Sequence, residues 1–199
     1  GSGETAALTS RVCRVFLEKM LACGNDKTTT LEMLNMFLKN RGAECFATID
    51  LLEIDMHTGT ASFIKSGAAP SYIVRGGNLF RIASGTLPVG ILSDISAEVT
   101  EFGLEKGDVI VMVSDGICGD PELDSTWLCD YLAKEMTDDL ALTAEKIMLR
   151  AKKENKRSDD MTVELLRIEA PAKNAMDKVP SVTGEFSPFG DDFSVQIGG

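Results

Sequence analysis

The chain has 199 residues, 44% of them apolar and 26% charged, the balance of a globular protein with its own core rather than a disordered or fibrous chain. Its 31 acidic residues outnumber 20 basic ones, and the resulting charge of −11 disfavours nucleic-acid and membrane-surface partners by repulsion. One histidine (His57) and five cysteines (Cys13, Cys23, Cys45, Cys118, Cys129) without a C-x-x-C pair exclude a multi-His or cysteine-rich zinc site and fit a reducing compartment.

Residues 4 to 23 repeat Leu8, Val12, Val15, Phe16 and Met20 at helical spacing, and Gly24 ends the run. Thr29-x-x-Glu32 has the form of a capping box and predicts a second helix with Leu31, Leu34, Phe37 and Leu38 on one face, ended by Gly42. The short polar link between the two predicts antiparallel neighbours. Strands are expected over 45–54 and 60–65 around Asp55–Gly59, over 71–75 and 79–83 around Gly76-Gly77-Asn78, over 97–102, and over the wholly apolar Val109–Val113. Helices near 124–135 and 138–156 follow, the second with Leu140, Ala144, Ile147 and Ala151 on one side, and then a strand over 161–168. This order is that of an α+β protein, in which two sheets with helices outside make a sandwich. From Pro171 onward Pro, Gly, Ser and Asp without periodicity read as a tail.

With so little histidine, chemistry rests on carboxylates, hydroxyls and backbone. The apolar strand Val109–Val113 ends in Ser114-Asp115-Gly116, a carboxylate at a strand mouth followed by a Gly that permits a tight turn. An Asp satisfying its own turn is the ordinary reading of such a pair. Ser158-Asp159-Asp160 lies between a basic helix end (Lys152, Lys153, Lys156, Arg157) and the last strand. Adjacent carboxylates repel unless a cation or donors hold them, although nearby Lys and Arg also serve. Together the two clusters suggest an all-oxygen site for Mg²⁺ or Mn²⁺. Gly67-Ala-Ala-Pro70 and Thr86–Gly90 read alone as a turn and a loop, and His57 as a solvated hairpin tip. Gly1-Ser2-Gly3-Glu4 lacks the Lys-Ser/Thr of a phosphate-binding loop.

In order, Lys65-Ser-Gly-Ala-Ala-Pro70, Leu87-Pro-Val-Gly90, Leu104-Glu-Lys-Gly-Asp108, Ser114-Asp-Gly116 and Ser158-Asp-Asp-Met-Thr162 resemble the metal-dependent (PPM) serine/threonine phosphatases, nearest the stage II sporulation protein E group. The match covers roughly residues 1 to 168, leaving 169–199 as tail. The resemblance implies an α-β-β-α sandwich of two antiparallel sheets flanked by helix pairs, with two Mn²⁺ or Mg²⁺ ions between the sheets. By its motifs Asp115 and Asp159 are metal ligands and carry catalysis through the metal, with Asp160 beside them in support. The implied reaction is hydrolysis of a phosphoserine monoester by metal-activated water, without a phosphoenzyme. The implied substrate is a phosphorylated STAS-type anti-sigma-factor antagonist in sporulation or stress signalling. The first two helices resemble the family's switch pair, with Gly67, Pro70 and Gly90 in the elements that respond, and a homodimer through these helices is expected.

The family's D-G-M-G-S-G motif, whose Asp bridges both metals, is represented only by Gly1-Ser2-Gly3, so the domain reads as N-terminally incomplete. Thr183–Val195 resembles the S-G-D-x-F-S segment that normally precedes that motif, which would bring a strand from the tail and Asp191 near the metals; a chance match in a Gly/Asp-rich tail is the other reading. A catalytically incomplete regulatory module that binds a phosphoprotein or partner is the alternative to an enzyme. No apolar run spans a bilayer and no signal-peptide pattern opens the chain, so a cytoplasmic domain of a parent that can itself be membrane-anchored is expected, with no membrane contact of its own.

Overall fold

A computed structural model of the chain describes residues 4–42, 45–93, 95, 98–118, 126–154, 159–169 and 182–188, the last by backbone alone. In chain order the elements are α1 (Glu4–Ala22), α2 (Lys27–Lys39), β1 (Ile49–Asp55), β2 (Thr60–Ser66), β3 (Ser71–Arg75), β4 (Asn78–Ile82), β5 (Glu98–Gly103), β6 (Val109–Val113), α3 (Asp115–Cys118), α4 (Thr126–Lys134), α5 (Leu140–Glu154), β7 (Thr162–Ile168) and β8 (Val182–Pro188). They form a sheet of order β1-β2-β5 and a five-stranded sheet of order β4-β3-β6-β7-β8. The chain divides into two compact units, residues 1–53, 62–68 and 84–100 in one and 54–61, 69–83 and 101–199 in the other.

In the larger unit, Val109-Ile-Val-Met-Val113 is apolar throughout because β6 is an interior strand, flanked by β3 and β7 and buried along most of its length. Its antiparallel register with β7 runs from Val109↔Arg167 to Val113↔Val163, so the end of β6 lies beside the start of β7. The buried positions of α5 (Leu140, Thr143, Ala144, Ile147, Met148, Ala151) recur every three or four residues and form one face. That face, with Leu128, Tyr131 and Leu132 of α4, shares a core with Val109, Val111, Val163 and Leu165. A second core belongs to the other unit, where Cys13 of α1 and Leu31, Leu34 and Leu38 of α2 cluster with Ile49, Ile64 and Val89. Phe16 stacks on Phe37 at 5.8 Å between ring centres, so α1 and α2 are packed neighbours.

Two boundaries differ from expectation. The N-cap of α2 is Asp26, whose carboxylate accepts the Thr29 amide at 2.9 Å, so the helix starts before the Thr29–Glu32 box. β1 begins at Ile49 rather than residue 45, because Ala47 forms an isolated bridge to Val89. The described part of α4 ends at Lys134 and that of α5 begins at Leu140, within one or two residues of expectation. β8 overlaps the Thr183–Val195 segment of the tail and pairs antiparallel with β7 from Thr162↔Pro188 to Ile168↔Val182. All five cysteines are free thiols.

Candidate metal centre

The antiparallel register of β6 and β7 sets the geometry of the acidic corner. Beyond Val113 the ladder continues through the Ser114 amide, which donates to the Thr162 carbonyl at 3.0 Å, while the Thr162 amide donates to Ser114 Oγ at 2.9 Å. One residue further on, Gly116 lies so close to the Asp160 carbonyl that a Cβ at that position would overlap the oxygen. The glycine of Ser-Asp-Gly therefore serves a close approach between two backbones. It is not the tight turn expected from sequence: Gly116 sits inside the short helix α3 and is not among the positive-φ glycines.

This approach brings Asp115, at the start of α3, beside the Asp159–Asp160 segment that leads into β7. All three aspartates are exposed. Asp115 Oδ1 accepts the Gly116 amide at 3.1 Å and Asp159 Oδ1 accepts the Asp160 amide at 2.8 Å, bonds that fix each carboxylate near its own backbone and leave further lone pairs for a ligand. Hard oxygen donors of this kind suit Mg²⁺ or Mn²⁺, and Mg²⁺ commonly takes one or two protein carboxylates and fills its shell with water and substrate phosphate. The residues thus fit the implied cation in kind. Among the described residues no group of three or more His, Cys, Asp or Glu side chains is assembled.

The loop residues singled out from sequence fall in the smaller unit, apart from Pro70, which leads into β3. Gly67 has φ +63°, and a Cβ there would come within 2.5 Å of Pro88 Cγ. Its amide donates to Thr86 O at 3.0 Å. Gly90 has φ +93° and lies against the Cys45 carbonyl, again where a Cβ would overlap. Asp191 lies outside the described residues, as do Gly1, Ser2 and Gly3 and Ser158 of the Ser-Asp-Asp motif. His57 is exposed in the β1–β2 turn, where Asp55 Oδ1 accepts its amide at 2.8 Å.

Three polar groups carry structure that the motifs did not reveal. Asn35, 2% exposed, stands among Leu31, Leu34 and Leu38 on the buried face of α2 and bonds the segment after Gly90. A lone amide within an apolar helical stripe was the signal that could have found it. Lys65 is 2% exposed, and its ammonium pairs with Asp50 at 2.6 Å. Asp108 is fully buried and takes two bonds from the Arg75 guanidinium, at 2.8 and 2.6 Å, while its Oδ2 also accepts the Glu105 amide at 2.8 Å. Leu104-Glu-Lys-Gly-Asp108 is accordingly a turn closed by an ion pair between the buried Asp108 and the half-buried Arg75.

Comparison with known proteins agrees with this geometry. The sequence model of the stage II sporulation protein E (SpoIIE) family matches residues 1–169. The stage II sporulation protein E of Bacillus subtilis is 31% identical over 175 residues, which are 85% of this chain and 21% of that protein. That of Priestia megaterium is 30% identical over the same length, 30% of its own. The chain thus spans only a fifth to a third of these relatives. Among solved structures, the PP2C phosphatase domain of B. subtilis SpoIIE with a fragment of its regulatory domain superposes with TM-score 0.75 at 31% identity, covering 84% of this chain and 52% of that one. The PPM Ser-Thr phosphatase of Mycobacterium smegmatis shares the fold, with TM-score 0.62 at 15% identity over 82% of this chain and 83% of that one. Two antiparallel sheets with accompanying helices are the architecture of this phosphatase class, as the motifs implied.

Proposed function

Because the chain belongs to the stage II sporulation protein E family, we propose that it is the metal-dependent serine phosphatase part of such a protein, hydrolysing a phosphoserine monoester on a STAS-type anti-sigma-factor antagonist in sporulation or stress signalling. The observation that carries the reading is the approach of Gly116 to the Asp160 carbonyl, which joins the two acidic motifs at neighbouring strand ends. In this reading Asp115 and Asp159 donate carboxylate oxygens to Mn²⁺ or Mg²⁺, with Asp160 in support and Asp191 as a further donor from the tail. Two such ions, when bound, would lower the pKa of water enough to generate the attacking hydroxide near neutral pH and would draw charge from the phosphoryl oxygens. The chain's own contribution is to hold the donors apart from the core, on backbone fixed by the Ser114–Thr162 bonds, so that the site stays open to a protein substrate. The products are inorganic phosphate and the free serine hydroxyl.

Among the described residues no helix is long and apolar enough to cross a membrane. We place the domain in the cytoplasm, where its phosphoprotein substrate would be. The exposed Leu8 and Val15 of α1 and Met36 of α2 favour a homodimer through these helices. They equally support a second reading, a catalytically incomplete module that binds a phosphoprotein or partner. Manganese-dependent phosphate release from a phosphoserine STAS protein separates the two. The enzyme reading expects turnover that Asp115→Asn abolishes; binding of the phosphoprotein without turnover at saturating Mn²⁺ supports the module instead.

A further inference from the structure

Ser114 belongs to a strand ladder and to a helix at once, and its hydroxyl is what allows this. Beyond Val113↔Val163 the antiparallel pairing of β6 with β7 calls for one more exchange of hydrogen bonds, between Ser114 and Thr162. The Ser114 amide makes its half, donating to the Thr162 carbonyl at 3.0 Å. The Ser114 carbonyl is turned away from the other half: it accepts the Ile117 amide at 3.0 Å, in the first turn of α3. The hydroxyl stands in for it, and Oγ accepts the Thr162 amide at 2.9 Å. The same Oγ donates to the Asp160 carbonyl at 3.4 Å, the oxygen against which Gly116 packs. Ladder and helix thus overlap by one residue, and Asp115 follows at the point where they meet.

We propose that Ser114 is a positioning residue for the divalent cation, its hydroxyl setting the separation of the Asp115 and Asp159 carboxylates while spending its proton and a lone pair on protein. The inference rests on the reading of this corner as a metal centre. Its physical ground is how little freedom is left between the two carboxylates once Oγ is in place. On one side Asp115 follows Ser114 directly, and its Oδ1 accepts the Gly116 amide at 3.1 Å. On the other side Asp159 Oδ1 accepts the Asp160 amide at 2.8 Å. The residue that holds the Asp159 carboxylate at its amide is therefore the one that Ser114 holds at its carbonyl. Without the hydroxyl, the Thr162 amide loses its acceptor and the Asp160 carbonyl loses this donor. Mg²⁺ and similar hard cations demand near-ideal geometry, so a change in the spacing of two carboxylates weakens both. Groups that orient metal ligands from behind typically carry about ten- to a hundredfold in affinity.

Calorimetric titration of Mn²⁺ into the full 199-residue chain and its Ser114 variants tests this, with the Thr162 amide followed by hydrogen exchange and the fold by a melt. Ser114→Ala should bind Mn²⁺ at least about tenfold more weakly, with the Thr162 amide exchanging at least about tenfold faster and the Ile147 amide of α5 unchanged. Ser114→Thr keeps the hydroxyl and should bind within about threefold of the parent. Parental affinity in Ser114→Ala beside a fast Thr162 amide would overturn the proposal, because the hydroxyl would then hold the sheet and nothing more. Equal weakening in the alanine and threonine variants would also overturn it, by removing the hydroxyl as the cause. Should the alanine variant not fold, Ser114→Cys serves, since a thiol is a weak acceptor. Weaker binding by the cysteine than by the threonine variant is then expected, and parental affinity in the cysteine variant would contradict the proposal. A parent chain that binds no Mn²⁺ is a separate result: it sinks the metal reading, and this inference with it.

Discussion

The acidic corner at the end of β6 and the segment from Ser84 to Ser93, which Asn35 straps to α2, solve similar problems by opposite means. In the corner the side chains proposed as metal ligands are exposed, and the geometry is fixed behind them by backbone and one hydroxyl that stands in for it: the Ser114–Thr162 bonds and the contact between Gly116 and the Asp160 carbonyl. In the strap the fixing group is itself a side chain, the buried Asn35 amide, and what it fixes is backbone. The difference teaches where substitutions should hurt. In the corner, removing a carboxylate should spare the fold and remove a ligand; in the strap, removing the polar group should move the fold.

The largest expected effect lies behind the corner. Gly116→Val puts a branched side chain against a backbone carbonyl that has a β-strand immediately after it, and overpacking of this kind costs about 3 kcal/mol or more. A thermal melt should lose its cooperative transition or drop steeply; a midpoint near that of the parent would break the close-approach account. Gly90→Ala comes next, with a φ of +93° and the Cys45 carbonyl in the way, at about 2 kcal/mol. Gly67→Ala should cost a similar amount, about 2 kcal/mol, because its φ is +63° and the atoms in the way include the backbone nitrogen of Pro88 as well as its ring.

Asp159→Asn marks the other side of the comparison. Asp159 is exposed and, among the described residues, its carboxylate bonds only the following amide, so its loss should change stability by no more than about 0.5 kcal/mol and a melt indistinguishable from the parent is expected. A large loss would mean that the corner is held by its carboxylates after all. The smallest effect concerns the cap of α2. Hydrogen bonds from the Thr29 hydroxyl and amide hold the Asp26 carboxyl below its ordinary 3.8. A depressed folded value means that the cap stabilises α2 above that pH and loses its contribution as pH falls through the folded value. Stability measured from pH 6 downward should therefore decline less steeply in Asp26→Asn than in the parent, and equal slopes would remove the cap from the account.

Much of this was legible in the sequence because it rests on local pattern. The wholly apolar Val109–Val113 announced an interior strand, the three- and four-residue repeat of Leu140, Ala144, Ile147 and Ala151 announced the buried face of α5, and the ordered motifs announced the family. What escaped depends on contacts far apart in the chain. The role of Gly116 needs Asp160, and that of Asn35 needs residues 90–93, neither of which local spacing encodes. The Thr29 box failed because Asp26 offers a competing cap one turn earlier, and β8 was suggested only by the resemblance of its segment, because a polar Thr-Gly-Glu-Phe-Ser strand shows no apolar alternation.

The central claim is that acidic oxygens from two separate stretches of chain meet to hold a divalent cation. Calorimetric titration of Mn²⁺ into the parent, Asp115→Asn and Asp159→Asn, with the fold of each checked by its melt, tests this most directly. The account predicts binding by the parent and affinity at least about tenfold weaker in both variants at unchanged melting temperature. Equal Mn²⁺ affinity in all three proteins would contradict it.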